Sequence, residues 1–125
     1  MKAKRILFVD DDPAIQDAVR IMLERVGYDV TVLDTGNSLL EEGCIYPNLF
    51  ILDKQLPGVD GLDICRYLKS RNETKHLPVL ILSASPQIAR QAADACADAL
   101  LEKPFKMQEL RKTVENLIRE TALSD

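Results

Sequence analysis

Cysteine, histidine and tryptophan are scarce in this sequence. Its 125 residues include three cysteines, one histidine and no tryptophan, and aromatic residues make up 5%. The cysteines, Cys44, Cys65 and Cys96, are odd in number and unevenly spaced. A disulfide framework needs paired cysteines and a zinc site needs close-set ligands, so both are excluded and a reducing cytoplasm is the expected setting. The single histidine, His76, sits between Lys75 and Leu77 in a polar stretch and reads as a surface side chain, not a phosphodonor. A basic surplus is missing too: 16 Lys and Arg stand against 20 Asp and Glu, a net charge of −4. Phosphate-backbone binding needs a basic stripe, so nucleic acid is not the expected partner. No apolar run approaches the roughly 20 residues of a membrane helix. Lys2, Lys4 and Arg5 precede the apolar run Ile6 to Val9, but three aspartates end that run after four residues. A signal peptide needs roughly 7–15 apolar residues, so a soluble, cytoplasmic protein is expected.

What is present is a pattern of short apolar runs alternating with helical periodicity. Ile6-Leu7-Phe8-Val9 stops at Asp10, Leu49-Phe50-Ile51-Leu52 at Asp53, and Val79-Leu80-Ile81-Leu82 at Ser83. Continuous apolar runs mark strands covered on both faces, as in a parallel sheet. Val30-Thr31-Val32-Leu33 is a weaker strand and Ala99-Leu100-Leu101 a short one. Between them, Asp12 and Pro13 open a helix carrying Ile15, Ala18, Val19, Met22 and Val26, with Gly27 suited to its C-terminal cap. Asp60 caps a helix bearing Leu62, Cys65 and Leu68, and Met107, Leu110, Val114, Leu117 and Thr121 define the last one. Ser38 to Glu42 and the alanine-rich Pro86 to Cys96 are weaker helical segments. Tyr28, Tyr46 and Tyr67 read as packing or surface aromatics. Five strand-then-helix units in one domain over residues 1–125 predict an α/β, doubly wound five-stranded parallel sheet.

In such sheets ligands sit at the carboxyl ends of the strands. There the sequence places Asp10-Asp11-Asp12, Asp53, Ser83-Ala84 and Lys103-Pro104-Phe105. Two carboxylates about 5 Å apart repel by roughly 3 kcal/mol at an effective dielectric near 20, so the cluster calls for a cation or raised pKa values. Magnesium fits, because it takes one or two carboxylates, keeps several waters and leaves room for phosphate oxygens. Lysine supplies a point charge for a phosphoryl group and serine a hydrogen bond.

These residues carry a resemblance over essentially the whole chain. The blocks Ile6 to Pro13, Pro47 to Asp53, Leu56-Pro57-Gly58-Val59-Asp60-Gly61, Ile81-Leu82-Ser83-Ala84 and Lys103-Pro104-Phe105 occur in the order of the receiver domains of two-component response regulators. The chain resembles that CheY-like family. The resemblance implies the flavodoxin-like (βα)5 fold with strand order 2-1-3-4-5. It implies Asp53 as phosphoacceptor, taking its phosphoryl group from a sensor histidine kinase or histidine phosphotransfer protein. It further implies Mg2+ held by Asp10, Asp11, Asp53 and the backbone carbonyl of Gln55. Ser83, Ala84 and Lys103 would meet the phosphoryl group, and the Lys103–Pro104 bond would be cis. The protein would be an autocatalytic phosphoryl acceptor that dephosphorylates itself, not a turnover enzyme. With residues 1–125 filled by the receiver, its output would pass to a separate downstream protein, and a monomer or weak dimer is expected.

Several positions depart from the family pattern. Leu100 stands where an aromatic switch residue is usual, so a muted conformational response is expected there. Lys54 follows the acceptor and either eases approach of an anionic donor or points to solvent. Leu56 replaces a common methionine. Cys96 stands at a helix end often occupied by glycine, where a left-handed residue costs roughly 1–2 kcal/mol. Two other functions compete. Asp10-Asp11-Asp12 contains the Asp-x-Asp signature of magnesium-dependent aspartyl-phosphate hydrolases with Asp10 as nucleophile, but a cap domain is lacking and Ala14 replaces the expected threonine or valine. A phosphorylation-independent pseudo-receiver is the other, against which stand five filled functional positions.

Overall fold

The computed structural model describes residues 3–40, 46–85 and 87–123. Along the chain run β1 (Arg5–Val9), α1 (Pro13–Arg25), β2 (Asp29–Leu33), α2 (Asn37–Leu40), β3 (Leu49–Asp53), α3 (Gly61–Ser70), β4 (Val79–Ser83), α4 (Ala89–Asp94), β5 (Ala99–Glu102) and α5 (Met107–Leu123). The five strands are parallel in the order β2-β1-β3-β4-β5, the topology expected from the sequence.

Continuous apolar runs become the central strands for the reason anticipated: both of their faces are covered. Every residue of β3 and β4 is buried, whereas the edge strands β2 and β5 are at most half-buried. Successive side chains of one strand enter opposite layers. Leu7, Val9, Phe50, Leu52, Val79 and Ile81 join Leu62, Ile64, Cys65 and Leu68 of α3 and Ala92 of α4. Ile6, Phe8, Leu49, Ile51, Leu80 and Leu82 meet Val19 and Leu23 of α1 and Leu110, Val114, Leu117 and Ile118 of α5. At roughly 25 cal/mol per Å² of apolar surface, these two layers supply the main favourable energy of the fold.

The helix starts follow their caps. The Asp12 carboxylate accepts from the amides of Ala14 (2.9 Å) and Ile15 (3.5 Å), and Asp60 accepts from Leu62 (2.8 Å). In α1 the buried positions are Val19 and Leu23; Ala18, expected on the core face, is exposed because α5 covers the neighbouring stripe. The helical segment Ser38 to Glu42 is realised as Asn37–Leu40, with Glu41, Glu42 and Cys44 outside the described residues. Pro86 also lies outside them, and α4 begins only at Ala89. Among the described residues no helix is long and apolar enough to cross a membrane.

Two helix ends turn through the left-handed region. Gly27 has φ 104°, and Cys96 has φ 66°, the one non-glycine residue of positive φ among those described. The Cys96 amide donates to the Ala93 carbonyl (2.9 Å) and that of Ala97 to Ala92 (3.0 Å), closing α4 by a Schellman motif. Cysteine therefore occupies a glycine-favouring position here, as its place in the sequence predicts.

Candidate functional site

Parallel pairing in register brings the strand ends together. Val9 pairs with Leu52, Asp53 with Leu82, and Ser83 with Glu102, so whatever follows each strand emerges at one edge of the sheet. Loop hydrogen bonds continue that alignment past the last paired residues. The amides of Asp10, Lys54 and Lys103 donate to the carbonyls of Leu33 (3.2 Å), Leu82 (2.8 Å) and Ser83 (2.8 Å).

At this edge the Lys103 ammonium lies 3.1 Å from Asp10 Oδ2 and 3.2 Å from Asp53 Oδ2. Asp10 is fully buried, Asp53 nearly so, and Asp11 is exposed; one carboxylate oxygen of each lies within 4.8 Å of the others. Two like charges at that separation repel by about 3.5 kcal/mol at an effective dielectric of 20. Three carboxylates against one ammonium leave a deficit of about two positive charges. Burial, then the neighbouring Asp10, push the Asp53 carboxyl above its ordinary value, and the attraction of Lys103 does not cancel them. Burial alone would lower Lys103, but its bonds to Asp10 and Asp53 prevail and hold it above the lysine value, firmly charged. The donors here are hard oxygens, and their charge deficit matches a divalent cation such as Mg2+.

The remaining predicted residues surround this centre. Asp10 Oδ1 accepts from the Asp12 amide (2.9 Å) and Asp53 Oδ1 from the Gln55 amide (3.3 Å). Ser83 is buried, and its hydroxyl is engaged away from the carboxylates: it accepts from the Ser85 amide (3.0 Å) and contacts the Ser85 carbonyl (3.5 Å). Ala84 is exposed and belongs to the walls of two clefts. One is polar, with Lys54, Gln55, Ser83 and Gln91; the other is apolar, with Ile15, Lys103, Pro104 and Phe105. The Lys103–Pro104 bond is cis. Leu100 pairs in register with Ile81 and packs half-buried against the layer containing Ile88 and Ala92, so aliphatic packing fills the expected aromatic position. His76 is exposed in a turn.

Three features escaped the sequence. Lys54 is not a free solvent side chain: on the wall of the polar cleft its ammonium is 2.9 Å from Asp60 Oδ2. Gly61 begins α3 against the backbone of Asp53 and Lys54. Its amide donates to the Lys54 carbonyl (2.9 Å), and a Cβ at Gly61 would lie 2.1 Å from the Asp53 carbonyl oxygen. Gln16 reaches from α1 to both the Asp10 carbonyl and the Asp34 carboxylate. Glycine after a cap residue is a weak signal in a sequence, and the Gln16–Asp34 contact, spanning two elements, leaves none.

Comparison with known proteins agrees with this geometry. The family model of the response regulator receiver domain matches residues 6–115. The DNA-binding dual master transcriptional regulator RpaA of Synechocystis sp. is 43% identical over 122 residues, covering 94% of this chain and 50% of its own length. A CheY-like response regulator receiver domain protein from Methanospirillum hungatei JF-1 superposes with TM-score 0.90 at 27% identity, covering 99% of this chain and 100% of that one. The receiver domain of a sensor histidine kinase from Pseudomonas aeruginosa PAO1, solved with magnesium coordinated in its active-site cleft, gives TM-score 0.84 at 26% identity, covering 93% and 98%. The chain spans about half the length of the curated relatives it matches, so its length does not decide whether output passes to a separate protein. With the sheet order, the acidic edge and the bridging lysine in agreement, the chain belongs to the response regulator receiver domain family.

Proposed function

We propose that this receiver works as a phosphorylation switch in which Asp53 takes a phosphoryl group from a phosphohistidine on a sensor histidine kinase or histidine phosphotransfer protein. The observation that carries the reading is the Lys103 ammonium set between Asp10 and Asp53, with Asp11 completing a three-carboxylate cluster. Asp10, Asp11, Asp53 and the Gln55 carbonyl would hold Mg2+, which when bound supplies charge neutralisation for the transferring phosphoryl oxygens. The magnesium found in the related Pseudomonas receiver supports that assignment.

In the transfer an Asp53 oxygen attacks phosphorus as the phosphorus–nitrogen bond of the donor breaks. Catalysis of this kind is mostly positioning and electrostatics. Lys103, held charged, pairs with a phosphoryl oxygen once Asp53 carries the acyl phosphate. Asp53 suits the nucleophile better than Asp10. The Asp10 side chain is wholly buried, whereas that of Asp53 keeps 10% exposure toward an incoming donor. That arrangement disfavours a hydrolase built on Asp10. Ser83 must leave its turn with Ser85 to meet the phosphoryl group, exchanging hydrogen bonds worth about 1 kcal/mol each. That rotation moves the loop leading to α4, the route by which phosphorylation alters the partner-binding surface. Leu100, held between aliphatic neighbours, cannot supply an aromatic rotation, so the response rests on this loop.

The test is incubation of the full chain with Mg2+ and a small acyl phosphate, followed by mass spectrometry. One phosphoryl group is expected on Asp53 and none in Asp53→Asn. Label on Asp10 would sink the assignment, and unlabelled protein would favour a pseudo-receiver.

A further inference from the structure

We propose that Gln16 is a positioning residue for the cation site, fixing the turn that aims Asp11. The inference rests on the receiver reading above, since it concerns the same carboxylates.

Gln16 lies near the start of α1, and its side-chain amide Nε2 donates both to the Asp10 carbonyl and to Asp34 Oδ1 (2.7 Å). An amide nitrogen carries two protons, so both acceptors are served at once. Asp10 is thereby held at four points. Its amide donates to Leu33 (3.2 Å) and its carbonyl accepts from Gln16; its two carboxylate oxygens accept from the Asp12 amide (2.9 Å) and Lys103 (3.1 Å). Asp11 stands between two of these bonds. The peptide group before it is tied through the Asp10 carbonyl, and the one after it through the Asp12 amide. Its side chain is exposed, so these backbone ties on either side are what direct its carboxylate toward Asp10 and Asp53.

Asp34 is the outer anchor. It follows β2, the strand paired with β1, so the Gln16 amide staples the loops after two neighbouring strands. Glutamine does this without adding charge, leaving the cluster's deficit of positive charge intact for a cation. Residues that orient ligands from outside typically change metal affinity about 10–100-fold when lost. Because Gln16 acts on a backbone carbonyl and not on a ligand oxygen, a loss of about tenfold is expected, at the low end of that range.

The experiment is calorimetric titration of the full chain with Mg2+, with thermal melting of each variant measured in parallel. Gln16→Met keeps the length of the side chain but removes both donors, and Gln16→Asn is too short to span both acceptors. Each is expected to weaken Mg2+ binding about tenfold while remaining folded. Asp34→Asn keeps an acceptor for Gln16 and is expected to stay within about threefold of the parent. A merely structural role would lower the melting temperature and leave the Mg2+ affinity unchanged. Affinity within about twofold of the parent in both Gln16 variants overturns the proposal. A loss in Asp34→Asn with none in the two Gln16 variants assigns the effect to charge, and overturns it too. A parent chain that binds no Mg2+ overturns the receiver-site reading together with this inference.

Discussion

Replacing Lys103 by methionine removes the ammonium from between two buried carboxylates while keeping an unbranched side chain of similar length. Asp10 has 0% exposure and its partner's side chain in the pair, Lys103, has 17%, so solvent screens this contact poorly. With Lys103 gone, carboxylates within 4.8 Å of each other retain a repulsion of about 3.5 kcal/mol at an effective dielectric of 20. Breaking a buried pair by deleting one partner costs about 3–5 kcal/mol, which is consistent with that figure. A loss of about 3 kcal/mol is therefore expected at neutral pH without divalent cation. It corresponds to a fall of roughly 10 °C in melting temperature for a domain of this size. Urea unfolding followed by far-ultraviolet circular dichroism measures it. The same substitution in an Asp53→Asn background should cost about 2 kcal/mol less, because the repulsion has lost one charge. Adding Mg2+ or lowering the pH should also narrow the deficit, through neutralisation of the two carboxylates left without their ammonium. A Lys103→Met penalty below about 1 kcal/mol, or one unchanged by Asp53→Asn, would refute the electrostatic account.

Three further outcomes follow from the same geometry. The Asp53 carboxyl titrates above its ordinary value, so the folded chain holds its proton more tightly than the unfolded chain. Stability must then fall as pH rises from the ordinary carboxylate value through the raised one. Asp53→Asn should remove that slope and be more stable than the parent at neutral pH without Mg2+; equal urea midpoints from acid to neutral pH would contradict it. Gly61→Ala should destabilise the fold by about 1–3 kcal/mol and, on the proposed function, slow phosphorylation of Asp53, since the new methyl would overlap the Asp53 carbonyl oxygen. Unchanged melting and unchanged labelling would show that the backbone yields there. Cys96→Gly should stabilise by about 0.5–1 kcal/mol, the left-handed cost relieved less the added chain entropy of glycine. A lower melting temperature in the variant would show that the thiol packs to more effect than its backbone strain costs.

Much of the fold was legible because its signals are local. Apolar runs ended by aspartate or serine mark the buried strands, and Asp12 with Pro13 and Asp60 mark helix starts that the structure reproduces. The weaker segments were those in which local signals conflict. Pro86 to Cys96 is rich in alanine, which favours a helix without specifying a buried face, and the helix that forms is only Ala89–Asp94. Ala18 was placed on the core side of α1 by periodicity alone, but the face covered by α5 is set by packing between elements distant in sequence.

Sequence by itself determined the strand and helix alternation, the residues able to act at the strand ends, and the sign of the charge they share. It could do so because hydrophobic periodicity and residue chemistry are properties of short stretches of chain. Tertiary structure decided what those residues do to one another. Lys103 sits between Asp10 and Asp53, Lys54 is taken by Asp60, Ser83 is turned toward Ser85, and Gln16 staples Asp10 to Asp34. Each of these depends on the parallel register that sets separate strand ends side by side. Electrostatic and hydrogen-bond energies depend on distances of a few ångströms, and between residues as far apart in the chain as Asp10 and Lys103 only the packed sheet sets such distances.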